Sequence, residues 1–248
     1  LKYIGSKARF APEICAILQD YIYRLNIKTY IEPFVGGFNI IDKIKCKTRI
    51  GNDIDSLVCD LVTSCRNDPS LLRLATTPTR DKYYDVRDNP AIYQNWYRAA
   101  ILLFGSYNAR VYGGCYGATS KTKDGKTRNY FEEAKNNFIK QLPSLDGILI
   151  SCCDYKYIVP PSNETALIYC DPPYADGIGY NSEFDAVEFW EWCRRLSEKH
   201  IVIISERAAP DDFVCIWQQE TKSHLNNRAK KAVIEKLFIH RLNYGENH

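Results

Sequence analysis

The spacing of apolar positions changes several times along the chain, and each change marks an element. Over residues 9–25, Phe10, Ile14, Ile17, Leu18, Tyr21 and Ile22 recur at helical spacing and stop near Asn26. Lys28–Pro33 then reads as a strand, followed by a Gly-containing turn, a second helix over roughly 37–45 and a short strand at Thr48–Asn52. Residues 55–104 are predicted to be mainly helical and end in the apolar run Ala99–Phe104. A helix at 131–141 leads to strands at 147–151 and 166–170, and a Trp-rich helix at 184–199 precedes a strand at His200–Ser205. Asp212–Glu220 and Ala232–His240 read as two strands joined by a polar, basic loop. Strands alternating with helices and closing on a hairpin predict an α/β doubly wound sheet, mostly parallel with an antiparallel edge. A separate lobe is expected between about 57 and 130.

Composition narrows the class without naming a function. The 248 residues are 45% hydrophobic and 25% charged, enough for one full-sized core with a small inserted lobe. Net charge is only +3, so any nucleic-acid contact has to come from local patches. One candidate is Gly105–Arg128, rich in glycine, with five basic residues against one acidic and Tyr at 107, 112 and 116. No apolar run reaches the roughly 18–20 residues of a membrane span, and no basic-then-apolar leader opens the chain. Ten scattered cysteines form no Cys-x-x-Cys pair, and four histidines lack ligand spacing, so no metal is expected. Reduced thiols in a cytoplasm fit this usage. Methionine is absent, where several residues are expected at ordinary usage. The reading therefore rests on short motifs, whose spacing is the least sensitive to an omitted residue.

Three motifs carry chemistry. Asp171-Pro172-Pro173-Tyr174 directly follows the apolar run Ala166–Cys170. The prolines fix φ and lack N–H groups, leaving rigid carbonyls to accept from a ligand. With the Asp171 carboxylate and the flat face of Tyr174, the loop suits an exocyclic amine on a planar heterocycle, for which a nucleobase is the obvious candidate. Upstream, Tyr30-Ile-Glu-Pro-Phe-Val-Gly-Gly-Phe38 is a strand ending in a Gly-Gly turn that allows close approach to the backbone. Asp53, about twenty positions on, stands where a carboxylate would reach ribose hydroxyls. The third motif, Lys2-Tyr3-Ile4-Gly5-Ser6-Lys7, gains meaning only beside the other two.

In this order, the motifs resemble the α-group of DNA adenine-N6 methyltransferases, the D12 class that contains the Dam enzymes of bacteria and phages. The resemblance runs through nearly the whole chain, including Gly179-Tyr180, Phe184-Asp185, Phe189-Trp190 and Glu235–His240. It implies a Rossmann-like sheet that binds S-adenosylmethionine (SAM) and is formed by residues 1–56 and 131–248. Residues 57–130 would be a target-recognition insertion. By resemblance, Tyr3, Lys7, Glu32, Phe34, Gly36, Gly37, Asp53 and Asp171 line the cofactor pocket, and Asp154 and Tyr155 flank the cofactor's adenine. Asp171, Pro172, Pro173 and Tyr174 would hold a target adenine flipped out of double-stranded DNA. Tyr107, Asn108 and Arg110 would read bases, with Lys121, Lys123, Lys126 and Arg128 on phosphates.

The resemblance further implies a monomer acting in a prokaryotic or phage setting, with any restriction endonuclease a separate protein. One departure is Phe38, where many relatives carry a third small residue. N4-cytosine or RNA amino-group methylation, and a catalytically idle DNA-binding module, remain as alternatives.

Overall fold

The computed structural model describes residues 1–3, 5–111, 114–173, 184–222 and 232–244. Along the chain come α1 (Ala11–Arg24), β1 (Thr29–Glu32), β2 (Thr48–Asn52), α2 (Ser56–Asn67), α3 (Leu71–Leu74), α4 (Arg80–Asp88) and α5 (Asn95–Gly105). A hairpin of β3 (Thr119–Lys121) and β4 (Thr127–Asn129) precedes α6 (Tyr130–Gln141), β5 (Ile148–Ser151), β6 (Ala166–Cys170), α7 (Ala186–Ser197) and β7 (Ile201–Glu206). Then follow β8 (Phe213–Lys222), β9 (Ala232–His240) and α8 (Arg241–Tyr244).

Seven strands form one sheet in the order β5-β2-β1-β6-β7-β9-β8. The first five are mutually parallel, and β9 runs antiparallel to both β7 and β8. Central strands that are apolar on both faces require cover on both sides, and side-chain alternation shows where it comes from. Tyr30, Leu167, Tyr169, Ile201 and Ile203 pack into a cluster with α1, α2, α5 and α6. Their neighbours Ile31, Ile168, Cys170, Val202 and Ile204 point the other way, onto Phe189, Trp192 and Cys193 of α7. Burying each such aliphatic side chain is worth roughly 1.5–3 kcal/mol.

Helix starts are fixed locally. Asp55, Asn129 and Asp185 accept from backbone N–H groups in the first turns of α2, α6 and α7, caps worth about 1 kcal/mol each. Chain order reverses between β1 and β6, because β1 leads outward to β2 and β6 leads outward to β7. A crevice therefore opens at the carboxyl ends of these strands, where open α/β sheets bind ligands.

The helix expected over 37–45 does not form; a single 3-10 turn, Ile41–Lys43, stands there instead. Gly36 has φ +46° and Phe38 φ +58°, conformations that interrupt helical hydrogen bonding. The helix-like spacing of Phe38, Ile41 and Ile44 arises because a compact turn buries all three. Left-handed backbone at an aromatic residue costs about 1–2 kcal/mol, and full burial of the Phe38 ring offsets it. Gly51 on β2 makes room for that ring: a Cβ there would lie 3.3 Å from both Phe38 Cε1 and Val35 Cγ2. Gly51→Val is expected to destabilise the fold by roughly 1–3 kcal/mol through overpacking, read from the midpoint of urea unfolding.

Candidate active site

The Gly36-Gly37 turn carries two functions at once. A Cβ on Gly36 would lie 3.0 Å from the Tyr3 ring, and one on Gly37 would lie 2.4 Å from the Leu1 carbonyl oxygen. The glycines thus admit the N-terminal segment, which lays Tyr3 over the turn. The Gly36 N–H donates to Asp53 Oδ2 at 2.7 Å, and the Asp55 N–H donates to Asp53 Oδ1 at 3.0 Å. Burial pushes the Asp53 carboxyl up to about 6, against the lowering effect of these hydrogen bonds. Tyr3 Oη donates to Asp55 Oδ2 at 3.0 Å, so the cap of α2 also anchors the N-terminal segment.

Asn52, fully buried, locks three strand ends together and escaped sequence reasoning. Its Nδ2 donates to the carbonyls of Pro33 (3.0 Å) and Cys153 (2.9 Å). Its Oδ1 accepts from Ser151 Oγ at 2.8 Å and the Cys153 N–H at 3.1 Å. The loops after β1, β2 and β5 are therefore held in fixed relation. Beyond them stands an aromatic wall: the Phe34 ring lies 5.2 Å from Tyr155 and 5.8 Å from Phe189, and Tyr155 lies 5.2 Å from Trp192. Asp154 caps the short turn Tyr155–Tyr157 by accepting from the Lys156 N–H at 3.0 Å.

At the end of β6, Asp171 meets a buried cation. Lys7 Nζ lies 2.7 Å from Asp171 Oδ1 and 3.5 Å from Glu235 Oε1 on β9. Burial lowers the ammonium's pKa, but the two carboxylates more than offset this and hold it above its ordinary value. Burial likewise pushes Asp171 up to about 6, with Lys7 opposing. Nearby Glu32 is buried, accepts from Tyr30 Oη at 2.5 Å and is driven well above the usual carboxylate range by desolvation. Pro172 is buried and Pro173 half-buried, while Tyr174 lies outside the described residues.

Tyr3, Lys7, Glu32, Phe34, Gly36, Gly37, Asp53, Asp154, Tyr155 and Asp171 thus come together at the carboxyl ends of β1, β2, β5 and β6. Asp55, Asn52 and Ser205 join them without having been singled out, as does Glu235, named before only as the start of the closing strand's motif. For Glu235 a signal existed: it is an acid on the strand face that Leu237 and Ile239 make apolar.

The candidates for DNA contact lie apart from this edge in sequence. Tyr107 is exposed on a one-turn 3-10 helix, and its N–H donates to the Cys115 carbonyl at 2.8 Å. Arg110 is exposed, whereas the Asn108 side chain lies outside what is described. Lys121, Lys123 and Lys126 are exposed around the β3–β4 hairpin. Arg128 is held by Glu133 through two hydrogen bonds of 2.6 and 2.8 Å and stacks on Tyr130. Among the described residues no group of His, Cys, Asp or Glu is placed to hold a metal ion, and no helix is long and apolar enough to cross a membrane.

Comparison with known proteins places the chain in a family. The chain is 28% identical over 203 residues to the type II methyltransferase M.MjaIII of Methanocaldococcus jannaschii, covering 70% of this chain and 68% of that protein. It is 27% identical over 171 residues to the DNA N-6-adenine-methyltransferase of Escherichia phage P1, covering 63% of this chain but 22% of that protein. Among solved structures, the rRNA methyltransferase aviRa of Streptomyces viridochromogenes superposes with a TM-score of 0.43 at 12% identity, covering 96% of this chain and 86% of that one, too loosely to carry an argument. The family model described as D12 class N6 adenine-specific DNA methyltransferase matches residues 3–228, and the chain belongs to that family.

Proposed function

We propose that this protein transfers a methyl group from SAM to N6 of an adenine within a short double-stranded DNA sequence. The observation that carries the reading is the convergence of Asp171, Asp53 and the Gly36-Gly37 turn at one edge of the sheet. The donor set fits SAM: carboxylates at Asp53 and Asp171 suit a cationic ligand with ribose hydroxyls, and Phe34 and Tyr155 suit an adenine ring. In this reading Asp53 holds the ribose, Asp154 and Tyr155 flank the ring, and Tyr3, Lys7, Glu32, Phe34, Gly36 and Gly37 shape the remaining pocket. Bound SAM supplies an electrophilic methyl on a sulfonium.

The protein's own residues then supply alignment and charge. Adenine N6 is a weak nucleophile because its lone pair is delocalised into the ring. Asp171 and the Pro172 carbonyl accept its two N–H groups, orient the lone pair and stabilise the positive charge that develops on nitrogen. Pro172 and Pro173 keep these acceptors in place by fixing φ. Once methylated, the cationic N6 is strongly acidic and gives one proton to Asp171, which passes it to water, so no strong base is needed. A paired, stacked adenine is out of reach, so the base is flipped out and stacked on Tyr174.

Residues 57–130 act as the target-reading insertion, although α2 and α5 within it pack into the core of the sheet; its remaining part places Tyr107, Asn108 and Arg110 at bases and Lys121, Lys123 and Lys126 on phosphates. Arg128 serves a phosphate only by giving up its Glu133 partner. The relatives' type II designation supports a role beside a separate restriction endonuclease.

Asp171→Ala and Asp171→Asn test the assignment: methyl transfer to DNA is expected to fall by about 100-fold or more, and, because Asp171 also lines the cofactor pocket, SAM affinity by calorimetry is expected to weaken by a smaller factor. Unaltered transfer overturns it. With the Asp171 carboxyl pushed up to about 6, its anion is lost as pH falls through that value. Single-turnover rates are therefore expected to drop below about pH 6 and to level above it.

A further inference from the structure

We infer that Glu235 is a positioning residue of the methyl-transfer site, a second carboxylate on Lys7 that keeps the buried cluster around Asp171 negatively charged. This inference rests on the proposed function. One carboxylate would suffice to neutralise a buried ammonium, yet Lys7 Nζ has two, Asp171 Oδ1 at 2.7 Å and Glu235 Oε1 at 3.5 Å. Glu235 is 6% exposed and occupies the face of β9 that Leu237 and Ile239 make apolar, a costly place for a charge. It is held there by the Ser205 hydroxyl of the neighbouring strand β7, which donates to Oε1 at 2.7 Å.

The electrostatic consequence follows from counting charges. Lys7 and Asp171 alone sum to zero, which would blunt the field an amine feels as it becomes positive. With Glu235 sharing the ammonium, these three described side chains sum to −1, complementary to a cationic methyl donor and a nitrogen gaining charge. Among the described residues, two other carboxyls face Asp171, and burial makes both weaker acids. Burial drives Glu32, at the end of β1, well above the usual carboxylate range. Glu206, at the end of β7, is pushed up to about 7 by burial. The buried Cys170 thiol, next in the chain, is driven up by desolvation and stays protonated.

Glu235→Gln keeps the shape and the Ser205 bond but removes the charge. Two readouts separate a positioning role from a structural one. Asp171, titrated by 13C-carboxyl NMR in the free protein with Asp171→Asn as assignment control, is expected to ionise at a pH lower by roughly one unit. In DNA methylation kcat is expected to fall about tenfold, with the KM for SAM within twofold, while Glu235→Asp, which restores the charge, recovers most of the rate. An Asp171 titration and a kcat both unchanged in Glu235→Gln overturn the inference. Should Glu235→Gln fail to fold, the carboxyl titration of Glu235 in the unmodified protein decides: a Glu235 still protonated at the pH where Asp171 ionises overturns the inference. If the unmodified protein transfers no methyl to adenine, the proposed function fails, and the NMR titration still decides whether Glu235 governs Asp171.

Discussion

A lysine buried at the carboxyl edge of a parallel sheet is the constraint on which the rest depends. Lys7 is 5% exposed, and an ammonium so enclosed persists only with carboxylates at hand. Meeting that demand ties together three segments far apart in sequence: the N-terminal turn, the end of β6 at Asp171 and the interior face of β9 at Glu235. Breaking such a cluster from one side leaves an uncompensated charge, a cost of roughly 3–5 kcal/mol. The same contacts that make the cluster stable decide how much negative charge Asp171 presents to a ligand.

The sheet supplies the place for this cluster. Parallel pairing of β5, β2, β1, β6 and β7 brings five strand ends to one edge, and the reversal of chain order between β1 and β6 opens the crevice. Asn52 keeps the loops after β1, β2 and β5 from moving independently. The Gly36-Gly37 turn seats Tyr3 and offers its N–H to Asp53. Backbone geometry, a buried amide and a charge cluster thus fix separate parts of one edge.

Much of this was legible in the sequence because it rests on local patterns. The boundaries of β2 and β6 follow from short apolar runs bounded by polar residues, and the antiparallel closing hairpin from two alternating segments around a basic loop. Asp171-Pro172-Pro173 stands out because an acid and two prolines at a strand end join an acceptor to a rigid backbone, whereas Gly36-Gly37, by itself a common tight turn, gains weight from the Pro-flanked strand end and Asp53. The supposed helix over 37–45 failed for a long-range reason: Phe38 takes a left-handed conformation to fill the space beside Gly51, and no local periodicity reports that. Asn52 was passed over, and Glu235 was named without a role, because a lone amide or acid in a strand gains meaning only from the strands beside it.

The account reduces to one claim, that this edge methylates the exocyclic amine of adenine under the control of an anionic Asp171. Incubating the protein with methyl-labelled SAM and mixed-sequence duplex DNA, then digesting to nucleosides for mass spectrometry, tests it most directly. Label confined to N6-methyldeoxyadenosine is the predicted result. Label on N4 of deoxycytidine, or DNA left unlabelled by a folded, SAM-binding protein, would contradict it.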